Sequence, residues 1–498
     1  MSAIMRSTRV LAAIGLLLTS CRQSPAPFTE TTAADLGTLE TPRAPEARQP
    51  GTCWTLLDAE EPDVLRVVGA NTILYANPQV GLSIVDVTDL ERPRTLATSA
   101  AVGTPLGVFV WRDVAVYVVV PWTRPSETIV RAVSLAPGRE GALLGEIRLA
   151  GRARDARRAG ETLVVTRDLP GPGEPMTAVD AIYLDDTGPK QTDEVRLTGD
   201  GALVMGSPFG VVVARRAEPA HGPDRSALTW IALPPDAPGH LKREGTSIVN
   251  GVVPRWRDAS AHMIDVTEDA RVRLFMCATA ACPVGSDATY AEVDFGQPAA
   301  PRLVTWSPVA RASDAVFRFV DGDAVVARPP PGGRLPAVTE LLFLHTGAKL
   351  VPYGTLPVNG LVGSVARSGE TLLVTGWKTT PATGKQALVH RVALGASPRL
   401  LGSVAVGSDW TWSPAFDDDA AVSFDPASSR AALPATTIPT GSGVRSSVEV
   451  LALPRGGVRS EASFETDSVD RIVFRDDHLL LFSASGVTVR KLAPEPAR

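Results

Sequence analysis

Cysteine and histidine are both scarce in this chain, four and six among 498 residues. That scarcity narrows the chemistry on offer. None of His221, His240, His262, His345, His390 and His478 has a partner at metal-ligand spacing, so they read as solvated or hydrogen-bonded single side chains and no metal is expected. No G-x-S-x-G, HExxH or Walker loop occurs. The run "ATGKQ" holds a Gly-Lys pair but lacks the first glycine and the strand-to-helix setting of a phosphate loop. Long apolar runs are missing too, since no stretch reaches the roughly 18 residues that a membrane-spanning helix needs. A formal net charge of −5 leaves no basic footprint, which argues against nucleic acid as a partner.

What is plentiful is punctuation. The 43 glycines and 42 prolines interrupt the chain at short intervals, which suits short strands and turns and leaves little room for long helices. Hydrophobic residues at 44% and charged residues at 21% are ordinary for a folded protein and exclude wholesale disorder.

The N-terminus carries a processing signal. Arg6 and Arg9 precede the apolar run "VLAAIGLLL", Val10 to Leu18, which is too short to span a bilayer and reads as a secretory signal over residues 1–20. It ends in Leu18-Thr19-Ser20-Cys21, which resembles the lipobox of bacterial lipoproteins. That resemblance implies cleavage before Cys21 and a diacylglyceryl group on its thiol. The rival is an ordinary signal peptide with a chance cysteine. Arg22 after the cysteine, by the convention of that class, favours the outer membrane over the inner one. Residues 21–50, rich in Pro, Thr, Ala and Glu with no apolar period, read as a disordered tether. As a coil it would reach on the order of 30 Å, from about 5–6 Å times the square root of its length.

From residue 51 to 498 the chain repeats. "DVLRVVGANTILYANPQVGLSIVDVTDLERPRTLATSAAVG" holds four short β-rich runs, and the cadence returns in "ARRAGETLVVTRD", "VFRFVDGDAVVARPP" and "VARSGETLLVTGWK". Starts fall near residues 64, 105, 152, 201, 258, 313, 361 and 410. Four strands per unit at a period of about 45–50 residues is the pattern of a β-propeller blade. No 10–15-residue helical pattern separates the strands, so a parallel βαβ sheet is poorly supported. The expected fold is all-β, a single β-propeller of four-stranded blades. Eight blades are expected, with seven and nine also fitting. The last segment, 469–493, supplies only three strands, and "TCWTLLD", Thr52 to Asp58, is the natural donor of a closing N-terminal strand.

The stretch "VGLSIVDVTDLERPR", Val80 to Arg94, resembles the LVIVD-type repeat of bacterial surface propellers. With "GEIRLAGRARDARRAGETLVVTRD", "GSDWTWSPAFDDDAAVSFDP" and "VDRIVFRDDHLLLFSASGVTVRKL" it is similar to the secreted bacterial β-propeller-domain family, distant relatives of WD-repeat propellers. The resemblance spans about residues 60–493. It implies a fold and an envelope location and brings no catalytic set with it.

Three groups of residues remain as site candidates. Cys277 and Cys282, in "MCATAACP", lie close enough to bridge across a hairpin tip, and the secreted setting permits a disulfide; Cys53 is left over, either buried and reduced or partner to one of the pair. The acidic runs at Asp185/Asp186, Asp321/Asp323, Asp417–Asp419 and Asp476/Asp477 fall at expected turns, which carboxylates favour by bonding their own backbone. Tryptophans at 111, 122, 230, 377, 410 and 412 lie near strand ends. They either pack between blades or ring the propeller mouth. Trp410 and Trp412, two apart on one strand, share a face and make the best candidate ligand platform. The expected function is therefore a lipid-anchored extracytoplasmic binding or scaffold module for an envelope protein or polysaccharide, without cofactor. The alternative is a hydrolase or lyase with its site in the channel.

Overall fold

The computed structural model describes residues 63–493, apart from 170–173, 200–202, 208–209, 254–262, 268, 321, 331–337, 381–383, 409 and 439–442. The signal segment, Cys21, the tether, Cys53 and Thr52–Asp58 lie outside the described residues. Nine antiparallel sheets follow one another along the chain, over residues 65–100, 103–150, 152–198, 203–250, 264–309, 316–359, 361–406, 411–466 and 469–491. They are blades 1 to 9. Each is ordered as the chain runs, so strands pair with their sequence neighbours, except in blade 8, where Thr411–Trp412 and Ser423–Asp425 both pair with Arg430–Thr437.

Burial explains the radial order. Second strands are closed in on both faces: all eight residues of Val114–Pro121 and all six of His478–Ser483 are buried. Fourth strands such as Arg94–Ala100 and Arg459–Thr466 show exposed residues along their length and form the outer edge. A strand buried on both faces reads as an unbroken apolar run, as "VAVYVVV" and "HLLLF" do. The core is divided into nine apolar clusters, one for each seam between adjacent blades. The cluster of Ile73, Tyr75 and Val85 with Leu480 and Phe482 joins blade 9 to blade 1 and closes the ring. The fold is thus the expected all-β propeller.

Nine blades correct the preferred count of eight. Every expected quartet is a real sheet, and the three-strand remainder is a ninth blade with its own two seams. Nine blades lie within the expected range and exceed the usual ceiling of eight.

Blade 8 departs from the others. Its inner strand is cut to Thr411–Trp412, followed by two 3-10 turns, Pro414–Phe416 and Asp419–Ala421, and a short strand, Ser423–Asp425. This insert packs on the first strands of blades 7 and 9 and reaches that of blade 6. Asp419 Oδ2 meets Arg318 Nη1 of blade 6 at 2.7 Å, and Asp418 Oδ2 meets Arg471 Nη2 of blade 9 at 2.6 Å. Phe416 sits over Gly363, where a Cβ would come within 2.5 Å of the Phe416 carbonyl oxygen. Asp417–Asp419 was expected only as a turn. Asp418 does cap one, accepting from the Ala420 amide, but it and Asp419 also pin the insert across the channel side.

Candidate binding site at a seam between blades

A repeated device bolts neighbouring blades together. In the seven four-stranded blades and in the five-stranded blade 8, the pairing of the last two strands skips one residue on the outermost strand. The third-strand residue one position ahead of the last residue before that skip, its outer-strand partner and the second-strand residue diagonal to it form a three-residue locus facing the preceding blade. In blade 3 the locus is Asp180, Glu194 and Arg167. Arg167 donates to Asp180 through Nε at 2.5 Å and Nη2 at 2.7 Å, to Glu194 at 2.9 Å, and to the Ala150 carbonyl that ends blade 2. Burial pushes the Asp180 carboxyl up, and the arginine opposes it. A paired guanidinium is the side chain best suited to such a spot, because its fork satisfies two acceptors at once.

Other seams repeat the reach with different residues. Arg131 donates to the Ala100 carbonyl, Arg215 Nε to Thr198 at 2.7 Å, Trp306 Nε1 to Asn250 at 3.2 Å, Arg328 to Ala310 at 3.2 Å and His390 Nε2 to Asn359 at 2.8 Å. At the ring closure Asn77 donates to the Ser483 and Ala484 carbonyls. Arg215 lacks a carboxylate at its locus, where Thr229 and Thr246 stand. Burial, with Arg243 nearby, lowers its pKa to about 10.

Between blades 7 and 8 the locus is Glu449, Ser463 and Ala435. Ala435 stands at the Arg167 position, and beside this locus is a cavity of about 550 Å³, lined among others by Gly407, Ser408, Thr437, Ser447, Glu449 and Ser463. Glu449 is 6% exposed, and its Oε1 accepts the hydroxyls of Ser447 and Ser463, each at 2.7 Å. Among the described residues no cation pairs with it. Arg445 and Glu465 stand on the outer wall, both exposed.

The tryptophan platform adjoins this cavity. Trp410 and Trp412 are 52% and 46% exposed, while Thr411 between them is buried. The Thr411 hydroxyl bonds Thr437 at 2.9 Å and donates to Ser408 O at 2.6 Å, both cavity residues. Thr411 thus faces inward while both indoles are exposed, although Trp410 lies just outside the strand. Trp410 takes a left-handed φ of 57° and lies over Gly384, where a Cβ would meet its ring at 2.4 Å. Of the other tryptophans, Trp122 is exposed. Trp111 and Trp230 are buried between blades, and Trp377 packs beside Phe416, so these three are packing residues.

The remaining candidates lie apart. Cys277 and Cys282 are joined through sulfur with Cα atoms 5.3 Å apart, at a loop of blade 5. Asp185 holds Thr187 and Lys190 in a turn. His345 stacks on Tyr353 and bonds Asp323 at 2.9 Å, His390 is the bolt of the blade 6–7 seam, and His478 touches Asp477. Among the described residues no cluster of three or more His, Cys, Asp or Glu could hold a metal ion. Glu449 and the seam locus escaped the sequence reading. The signal was present: the second strands of blades 1, 3, 4 and 6 carry "LYAN", "VVTR", "VVAR" and "VVAR", with Asn or Arg at the matching position, whereas blade 8 has "ALPA".

No family model matches the sequence, and no curated protein does. Solved structures do. BamB from Moraxella catarrhalis is similar over 88% of this chain and 99% of its own, at 11% identity and a TM-score of 0.38. Dihydro-heme d1 dehydrogenase NirN is similar over 86% and 82%, at 11% identity and a TM-score of 0.47. A eukaryotic initiation factor is similar over 83% and 90%, at 10% identity and a TM-score of 0.45. The fold assignment stands on the sheet order and the closed set of seams, and the site is argued from its own residues.

Proposed function

We propose that the protein is an extracytoplasmic binding module. A lipid on Cys21 holds it to the cell envelope, on the outer membrane, the segment 22–50 gives it reach, and the propeller captures an envelope protein or polysaccharide at the blade 7–8 rim. The observation that carries the reading is the pair Trp410 and Trp412, both exposed beside an open polar cavity. Large aromatics are costly to leave in water, and paired beside a cleft they are typical anchors of a partner. The acidic residues of the blade 8 insert are matched by Arg318 and Arg471, which leaves them poor candidates for acid–base work.

Two measurements test it. Cys21→Ala should end lipid labelling and move the protein out of the membrane fraction; labelling that persists removes the anchor. Mature protein immobilised on a support should retain a defined envelope component, identified by mass spectrometry. The double change Trp410→Ala, Trp412→Ala should weaken that binding by about 1–3 kcal/mol with melting unchanged. Undiminished retention, or turnover of a hydrolase substrate by pure protein, overturns the reading.

A further inference from the structure

We infer that the blade 7–8 cavity is a receptor for a guanidinium group, an inference that rests on the reading of this rim as the partner-contact face. Strand register places Ala435, Glu449 and Ser463 where blade 3 has Arg167, Asp180 and Glu194. In blade 3 the chain supplies its own guanidinium, which forks onto Asp180 and reaches the last carbonyl of the preceding blade. Blades 4 and 6 place Arg215 and Arg328 at the Arg167 position, and blade 2 brings Arg131 into the same space from its third strand. Only in blade 8 is the carboxylate retained while the arginine is replaced by alanine. Ala435 pairs with Ser447, which lines the adjoining cavity together with Glu449 and Ser463.

The carboxylate left behind needs a cation. Glu449 is more than nine-tenths buried, and its two donors are neutral hydroxyls on one oxygen. A buried carboxylate is stabilised far better by a charged fork than by hydroxyls alone. Guanidinium is favoured over ammonium by the equivalent seam of blade 3, where one fork satisfies both oxygens of Asp180. Glu465 adds a second negative charge at the mouth, and Arg445 opposes it. Two sources fit this chemistry: an arginine side chain of a partner polypeptide, whose flanking residues would lie on Trp410 and Trp412, and a free guanidinium compound.

Titration of the mature protein, followed by calorimetry and tryptophan fluorescence, separates the cases. The probes are a capped Leu-Arg-Leu peptide, the same peptide with citrulline, the same with lysine, and agmatine. The arginine peptide should bind at least tenfold tighter than the citrulline and lysine peptides. A peptide that outbinds agmatine assigns the arginine of a partner chain, and equal binding assigns a free guanidinium compound; both support the cavity. Glu449→Gln should cut arginine binding at least tenfold, and Arg445→Ala should tighten it. Ala435→Arg should rebuild the blade 3 arrangement, abolish binding and raise the melting temperature. Equal binding of the citrulline and arginine peptides, or full affinity in folded Glu449→Gln, overturns the inference. If a polysaccharide is still captured through the tryptophans under that result, the binding-module reading survives without the guanidinium site.

Discussion

Tyr75 of blade 1 donates its hydroxyl to Asp470 of blade 9 at 2.6 Å, across 395 residues of sequence. Burial and the neighbouring carboxylate hold the phenol well above its usual pKa, so it stays a donor at every physiological pH. The contact sits at the ring closure beside the Arg471–Asp63 pair. Tyr75→Phe keeps the ring and leaves Asp470 without that donor, so it should destabilise the protein by about 1–2 kcal/mol in chemical denaturation. A change below the error of the fit would mean that the closure does not depend on this bond.

The same seam frames a larger test. Elsewhere the fourth strand of one blade ends just before the first strand of the next, as at Ala150 and Arg152 or Asn359 and Leu361. We propose that Thr52–Asp58 fills that place for blade 9, whose described strands stop at Lys491. Deleting 52–58 should lower the melting temperature of the whole ring, whereas deleting 22–45 should leave it unchanged. Identical melting of the two deletions would remove the donor strand.

Much of the ring was legible because its cause is local. An apolar second strand, a Pro- or Gly-broken turn and an outer strand with exposed positions recur in each unit, so blade starts near 64, 105, 152 and 361 agree with strands beginning at Leu65, Gly103, Arg152 and Leu361. Trp410 and Trp412 stand out in the sequence because residues two apart on a strand share a face, but the left-handed backbone of Trp410 breaks that pattern. Seam chemistry was not readable from any single blade. Glu449 is one more glutamate in "SSVEVLAL" until register sets it beside Asp180 and shows that its arginine is missing. The insert was equally opaque, because "FDDD" is a plain turn unless Arg318 and Arg471 are known to face it.

The insert depends on Gly363. In this blade the inner strand skips a residue between Val362 and Ser364, and the Phe416 backbone lies over the gap. Ser364 and Thr375 both donate to the Ala415 carbonyl, the latter at 2.7 Å. Gly363→Val should push the insert off its seat and cost about 1–3 kcal/mol, the usual penalty of overpacking. Arg318→Met should lose less, because its partner Asp419 is then left nearer to solvent. Equal losses in thermal melts would show that the ion pair, and not the packing, seats the insert.

Linking Cys277 to Cys282 closes a very short loop, so its entropic contribution is about 2 kcal/mol at most. Reduction should therefore loosen the loop of blade 5 while the ring stays folded, because Cys277 also exchanges backbone hydrogen bonds with Val252 at 2.7 and 3.0 Å. Mass mapping of oxidised, unlipidated protein should find these two linked and Cys53 free. A peptide joining Cys53 to either one would reassign the pairing.

His390 makes one seam sensitive to acid. Its Nε2 donates to Asn359 O at 2.8 Å, and its Nδ1 meets the Ser403 hydroxyl at 2.7 Å. Burial lowers its pKa, and the bond to Asn359 offsets only part of that shift. In the unfolded chain a histidine titrates near its ordinary value of about 6.5. Above that pH both states are neutral and the group leaves stability unchanged. As pH falls below about 6.5 the unfolded chain takes up a proton that the buried ring resists, so stability is lost progressively toward the lower folded value. Melting temperatures measured from pH 8 to 5 should fall more steeply below about 6.5 for the native chain than for His390→Gln, whose amide can still donate to Asn359 but does not titrate. Parallel curves would mean that acid acts elsewhere in the ring and that the blade 6–7 seam is insensitive to it.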